Sequence, residues 1–303
     1  MKPRPTPVDG VPASRVQLPG GTWPSAFDAM CARFPRIDKA TWRSRFARGR
    51  VLDDAGLPLA ADASVTAGMT LYYYREVVEE PAIPFTGQVL HADADLLVVD
   101  KPHFLPVMPA GAYVRESLLF RLQQTLKNAD IVPLHRIDRG TAGLVMFSVN
   151  PATRDAYQAL FRDRAIGKHY EALAPALPAT RFPLVHRSHL QRGEPFFRMR
   201  EVPGDANSES RIDVLDRDGD VWRYALEPVT GKKHQLRVHM TALGAPIIND
   251  PFYPDLLEQS ADKHALPLKL LARSLAFIDP LTGDAREFRS ALALELPEPI
   301  SAA

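Results

Sequence analysis

Asp138 is a single carboxylate set between two arginines, in the stretch His135-Arg136-Ile137-Asp138-Arg139-Gly140-Thr141-Ala142-Gly143-Leu144. Positive neighbours favour the ionised form of a carboxyl group. The turn-forming Gly140-Thr141-Ala142-Gly143 is followed by the apolar run Leu144-Val145-Met146-Phe147, which predicts a buried strand. Asp138 is therefore expected on a loop entering the core, where a rigid scaffold can hold a reactive group. Taken alone, the pattern better fits a surface aspartate paired with its neighbouring arginines. A second polar stretch further along, Thr230-Gly231-Lys232-Lys233-His234-Gln235-Leu236-Arg237-Val238-His239-Met240, shifts that balance.

Other chemistries fall away on spacing. Gly231-Lys232-Lys233 is not a phosphate loop, because Leu226 stands where the first glycine is needed and no Ser or Thr follows Lys232. His234 and His239 are five apart with no acid between them, unlike the i, i+4 histidines of zinc proteases. One cysteine and scattered histidines argue against structural zinc. A glycosidase needs two carboxylates flanking the bond, and the neighbours of Asp138 are basic. Cofactor-free, metal-free chemistry is the simplest remaining expectation.

The elements that must position these residues follow from patterning. With 303 residues, one large or two unequal domains are expected. The net charge of +1 excludes a global field pulling the protein onto nucleic acid or membrane, so any such affinity must be local. The single Cys31 fits a reducing compartment, and no apolar stretch reads as a membrane span or signal core, so a cytoplasmic protein is expected. Residues 1–20, rich in proline, read as a disordered tail. Residues 21–78 read as a small module: two short helices, then a hairpin-like segment. Its helices carry Arg36, Lys39, Arg43, Arg45, Arg48 and Arg50 against only Asp38, which suits either a solvated face or a phosphate-backbone contact surface. Residues 79–88 read as a linker. Beyond it, Leu96-Leu97-Val98-Val99 predicts a buried strand ending at Lys101-Pro102, read as a structural strand end. Leu118, Leu122 and Leu126 mark a helix, and Asn150-Pro151 signals another helix start. Strands are expected at 168–173, 222–226 and 275–278, with a helix carrying Leu236, Met240 and Leu243 and closed by Gly244. Arg181, Arg187, Arg192, Arg198 and Arg200 face only Glu194 in their stretch and form a second basic surface, either RNA-facing or a solvated hairpin.

Three ordered motifs, H-R-I-D-R-G-T-A-G-L, K-H-Y-E-A-L and T-G-K-K-H-Q-L-R-V-H-M-x-A-L-G-A-P-I, resemble the signature of the RluA-like pseudouridine synthases, and V-V-D-K-P resembles that family's opening strand. The resemblance covers roughly residues 89–298. In the N-terminal module, R-G-R-V-L-x-D-x-G and V-x-x-G-M-x-L resemble a small RNA-binding module named after a ribosomal small-subunit protein, although the first helix departs from that pattern.

The resemblance implies an enzyme that isomerises uridine in RNA without a cofactor or metal. Asp138 aligns with the family's nucleophile, Arg237 with its basic partner, and Tyr170 with a tyrosine that stacks on the target base and handles a proton. Arg136 matches the arginine that fills the gap left by a flipped-out uridine, while His135, Arg139, Lys232 and Gln235 are expected to contact substrate. The implied fold is α+β: a mainly antiparallel mixed sheet with flanking helices and a central cleft, plus the small N-terminal RNA-binding domain. The implied partner is RNA, ribosomal RNA ahead of transfer RNA, with no membrane and a monomeric protein. A catalytically silent RNA-binding or assembly factor keeping the fold is the competing reading. Departures from the family pattern occur at Lys232-Lys233 (usually Arg-Thr), Gly140 (commonly Glu), Asn249 (usually Gly) and Leu271 (frequently His). They bear on subfamily and substrate.

Overall fold

A computed structural model describes residues 5–8, 11–75, 80–257 and 264–295. The chain forms two compact units, Met1–Pro81 with Ala110–Arg115, and Ala82–Pro109 with Glu116–Ala303.

The smaller unit contains β1 (Ser14–Gln17), α1 (Ala26–Arg33), α2 (Lys39–Ala47), β2 (Val51–Leu52) and β3 (Thr70–Tyr73). Its sheet runs β1-β3-β2, antiparallel throughout. Both helices start on side-chain caps: Ser25 accepts from the Asp28 amide and Asp38 from the Thr41 amide. Fully buried Trp42 anchors the core, with Phe34 and Tyr73 rings at 5.6 and 5.5 Å. The expected disordered tail of residues 1–20 is corrected in its second half. There Val16 and Leu18 are buried, and β1 pairs along its whole length with β3. The prolines masked a short alternating segment whose apolar side chains complete this small core. Residues 1–4, 9 and 10 lie outside the described residues.

The larger unit is built on one extended sheet. Its elements are β4 (Gln88–Ala92), β5 (Leu96–Lys101), α3 (Leu118–Leu126), β6 (Val132–Pro133), β7 (Ala142–Ser148), α4 (Arg154–Arg162), β8 (Ile166–Pro175), β9 (Leu184–Arg192), β10 (Met199–Val202), β11 (Ser208–Asp218), β12 (Val221–Pro228), α5 (Gln235–Ala242), β13 (Leu270–Ile278) and β14 (Ala285–Arg289). The strand order is β10-β9-β11-β12-β8-β13-β7-β5-β4, with β14 on β13 and β6 on β7. Every described pairing is antiparallel except β13 with β7, so the sheet is mixed and mainly antiparallel, as expected. The Asn150 signal marks the start of α4 three residues early. The Asn150 side chain accepts from the Ala152 amide and donates to Asp95, forming a turn of its own before Arg154.

The 79–88 linker expectation is also corrected in part. Ile83 is buried, its amide donates to Glu116, and the Arg121 guanidinium on α3 bonds the carbonyls of Phe85 and Ile83. Residues 76–79 lie outside the described residues.

Candidate active site

All seven residues of β7 are buried, which fixes the loop before it at the edge of the core. Gly143 explains the glycine in the motif. Its φ is +106°, and a Cβ there would lie 2.3 Å from the Ala272 carbonyl oxygen, so only glycine lets β13 pair alongside β7. The loop is closed by the Thr141 amide donating to the Asp138 carbonyl at 3.1 Å. Behind it, the fully buried Lys101 donates through Nζ to the carbonyls of Pro102 (2.9 Å), Leu105 (2.8 Å) and Arg139 (3.3 Å). Burial pushes Lys101 down to about 7 against the charge of Asp138. Three carbonyl acceptors nevertheless call for the three N–H groups of an ammonium. The strand end is structural as expected, and it is tied to the residue next to Asp138.

Asp138 opens into a cleft of about 760 Å³ whose lining includes Arg136, Lys168, Tyr170, Lys232, Lys233, His234 and Arg237. Arg237, on α5, donates from Nη1 to Asp138 Oδ2 at 3.1 Å. It also donates from Nε and Nη2 to the two oxygens of Asp250, at 2.7 and 2.6 Å. The Asp250 side chain is 0% exposed and that of Arg237 is 4% exposed, while that of Asp138 keeps 23%. The guanidinium also sits 5.0 Å from the Phe252 ring centroid and 5.2 Å from that of Tyr253. Arg237 thus cannot swing away from Asp138 without abandoning a buried bidentate pair.

Burial raises the Asp138 carboxyl, and the opposing pull of His234, Arg237 and Arg136 takes it below its ordinary value. Burial in turn drives His234 down to about 4, so at neutral pH the pull on Asp138 comes from the guanidinium charges of Arg237 and Arg136. Tyr170 projects from β8 into the same cleft. Burial and then the Asp138 charge push its phenol well above the usual range, so its hydroxyl stays protonated. The arrangement is one ionised carboxylate at the base of a cleft with an aromatic wall and a rim of cations.

A family described as RNA pseudouridylate synthase matches residues 95–242. The dual-specificity RNA pseudouridine synthase RluA of Haemophilus influenzae is 31% identical over 206 residues, covering 67% of this chain and 91% of that protein. The chain belongs to the RluA-like family of RNA pseudouridine synthases. An uncharacterized RNA pseudouridine synthase of Synechocystis, slr1592, is 28% identical over 231 residues, covering 75% of this chain and 78% of that protein. The solved structure of human RNA pseudouridylate synthase domain containing 4 superposes with a TM-score of 0.54 at 27% identity, covering 70% of this chain and 89% of that one.

In this pseudouridine synthase the structure brings Asp138, Tyr170, Arg237, Arg136 and Lys232 around one cleft. Of the expected substrate contacts, Arg139 is corrected. Arg139 donates from Nε to the Phe104 carbonyl at 2.8 Å and does not line the cleft. His135 borders the cleft, but its Nε2 accepts the Met146 amide at 3.1 Å and its ring stacks on Phe161 at 4.7 Å, which makes it a support for β7. Gln235 also borders the cleft, yet its amide is fully engaged. Its Oε1 accepts from Thr230 and the Lys232 amide, and its Nε2 donates to the Glu209 carbonyl and Ser210. Gln235 shapes the loop that presents Lys232.

Among the basic residues of the small unit, Arg36, Lys39, Arg43 and Arg48 are exposed and Arg50 is half-buried. Arg45 is corrected: it is 5% exposed with its guanidinium 4.8 Å from the Trp42 ring, a core residue rather than a surface contact. In the second basic stretch Arg187 pairs with Glu209, and Arg198 bonds the Pro254 carbonyl, while Arg181, Arg192 and Arg200 are exposed.

Asp250 and His234 escaped the sequence reading. The signal for Asp250 was adjacent: Asn249 has φ +60°, the left-handed conformation for which glycine is usual, and that turn aims the next side chain at Arg237. His234, considered only as a metal ligand, also has a positive φ, +55°, and enters the cleft wall at the start of α5.

Proposed function

We propose that this protein converts a specific uridine in structured ribosomal RNA of the large subunit to pseudouridine, with Asp138 as the nucleophile acting on a flipped-out nucleotide. The reaction breaks the bond from ribose C1′ to uracil N1, makes a bond from C1′ to uracil C5, and moves one proton from C5 to N1. It is redox-neutral, and a single carboxylate can mediate it. Asp138 attacks either C1′, with the glycosidic electron pair leaving on N1, or a carbon of the uracil ring. A base in a duplex or stacked loop must leave its stack to reach a carboxylate at the bottom of a cleft. In this reading Tyr170 stacks on the everted ring, and Arg136, exposed at the rim, occupies the vacated position.

The observation that carries the reading is the Asp250–Arg237–Asp138 chain of hydrogen bonds, which keeps one carboxylate ionised and oriented beside Tyr170. The exposed Arg36, Lys39, Arg43 and Arg48 support a role for the small unit in gripping RNA phosphates. Among the described residues no helix is long and apolar enough to cross a membrane. In this reading the protein acts on RNA in the cytoplasm, as a monomer.

The test is carbodiimide adduct mapping of total RNA from strains with and without the protein, and with Asp138→Ala. Sites lost in the deletion and not restored by Asp138→Ala support the reading. Sites confined to transfer RNA would reassign the substrate. Identical profiles in all strains would favour a silent RNA-binding factor.

A further inference from the structure

The two oxygens of Asp138 are not equivalent. Oδ2 accepts from Arg237 Nη1, whereas Oδ1 accepts no hydrogen bond among the described residues and faces His234 Nε2 at 3.8 Å. What His234 presents to Oδ1 depends on which ring nitrogen carries its proton, and the surrounding bonds decide this. The Met199 amide donates to the Tyr253 hydroxyl oxygen at 2.7 Å, so the hydroxyl's own hydrogen must go elsewhere. Its other polar neighbour among the described residues is His234 Nδ1, at 2.9 Å. Nδ1 therefore accepts, and the neutral ring carries its hydrogen on Nε2, the nitrogen directed at Asp138 Oδ1. The ring is held there by T-shaped packing on Tyr253 and by Phe252, with centroids 5.7 Å away in each case. The His234 side chain is only 5% exposed, so water cannot readily take over either nitrogen.

We propose that Tyr253 and His234 form a tautomer-fixing pair whose Nε2–H steers the Asp138 carboxylate, so that Oδ1, the oxygen not held by Arg237, is the one presented to uridine. His234 is a positioning residue in this scheme. Its N–H addresses one lone pair of Oδ1 and leaves the other for attack, and the 3.8 Å separation closes to a hydrogen bond when the nucleotide excludes water from the cleft. A protonated imidazole would be opposed by burial, Arg237 and Lys233 and favoured only by Asp138 and Asp250. This assignment rests on the reading of Asp138 as nucleophile.

The test combines a spectrum with kinetics on the full chain. Long-range ¹H–¹⁵N correlation of the ¹⁵N-histidine protein, with His234 identified by its loss in His234→Gln, is expected to show an unprotonated Nδ1 and a protonated Nε2. Tyr253→Phe is expected to shift that population toward Nδ1–H. On total RNA from a strain lacking the protein, His234→Met and Tyr253→Phe are expected to slow single-turnover pseudouridine formation ~10–100-fold with unchanged RNA affinity, the range typical of losing an outer hydrogen-bond partner that orients a functional side chain. His234→Gln, which restores an N–H near the Nε2 position, is expected to recover part of the rate. A wild-type Nδ1–H tautomer, or a full rate in His234→Met, overturns the proposal. Activity surviving in Asp138→Ala would instead sink the nucleophile reading, and it is distinguishable because the tautomer in that variant is unaffected by it.

Discussion

Arg237 gives Asp250 two of its nitrogens, at 2.7 and 2.6 Å, and keeps only Nη1 for Asp138. The stronger partner of this arginine is thus a carboxylate with no exposed surface.

That asymmetry separates stability from catalysis. Asp250→Ala leaves Arg237 buried with one partly exposed carboxylate, and it is expected to cost about 3–5 kcal/mol, the range for breaking a buried ion pair on one side. Asp138→Ala removes a side chain that is 23% exposed and leaves the Asp250 pair intact. It is expected to lose all product formation with a far smaller loss of stability. Urea unfolding of both variants checks this. Equal destabilisation by the two would contradict a buried anchor at Asp250.

Tyr170 offers a cleaner division of roles. Its ring is half-buried against the core cluster that includes Leu236 and Leu270, and its phenol remains protonated at working pH. Tyr170→Leu removes stacking on an everted base and is expected to weaken single-turnover performance by about 1–3 kcal/mol. Tyr170→Phe keeps the ring, so RNA binding should survive. Any fall in rate in that variant then measures the hydroxyl alone. RNA affinity reduced equally in both variants would remove stacking from its assigned role.

Acid stability follows from three histidines that burial holds neutral. His135 and His239 are pushed down to about 3 and His234 to about 4, against an ordinary value of 6.5. His239 is fully buried among Ser188, Ser208 and Ser210. Below pH ~6.5 the unfolded chain binds protons that the folded chain refuses, so stability falls as pH drops from there toward ~4. Each histidine contributes up to about 1.4 kcal/mol per pH unit within that window. Carboxylates held low, among them Asp93 at about 2 and Asp138, add their loss only at more acidic pH. Urea titrations at several pH values between ~4.5 and ~7.5 should show this slope, and a flat profile would contradict neutral buried rings.

Much of this site could be read in the chain because its parts are local. A carboxylate, a glycine turn and an apolar strand are consecutive residues, and Gly143 is required where β13 passes within 2.3 Å of a hypothetical Cβ. The helix bearing Arg237 is likewise legible from its spaced apolar residues and a glycine stop, whereas the mixed sheet is what the family resemblance implies. What escaped were facts created by tertiary packing. Nothing in composition says that Arg45 turns inward onto Trp42 while Arg43, two residues earlier, stays exposed. Nor does spacing show that Arg139 serves the Phe104 carbonyl instead of the cleft. Leu271, standing where a histidine is frequent, is fully buried beside Ala142 and Leu173, so that departure belongs to the core.

Arg45 lies in the core of the small unit while its basic neighbours lie at the surface. Arg36, Lys39 and Arg43 are exposed on the small unit, and each phosphate that such cations neutralise on binding RNA would release counterions. Replacing all three by glutamine is expected to weaken RNA binding. It should also flatten the dependence of log affinity on log salt, by roughly one for each phosphate no longer neutralised. Arg45→Gln removes a guanidinium packed on Trp42 and should lower the unfolding midpoint while leaving the salt slope unchanged. Filter binding of ribosomal RNA across a salt series, beside thermal unfolding, separates the two. If the triple variant keeps the wild-type slope, the small unit does not grip phosphate through this face.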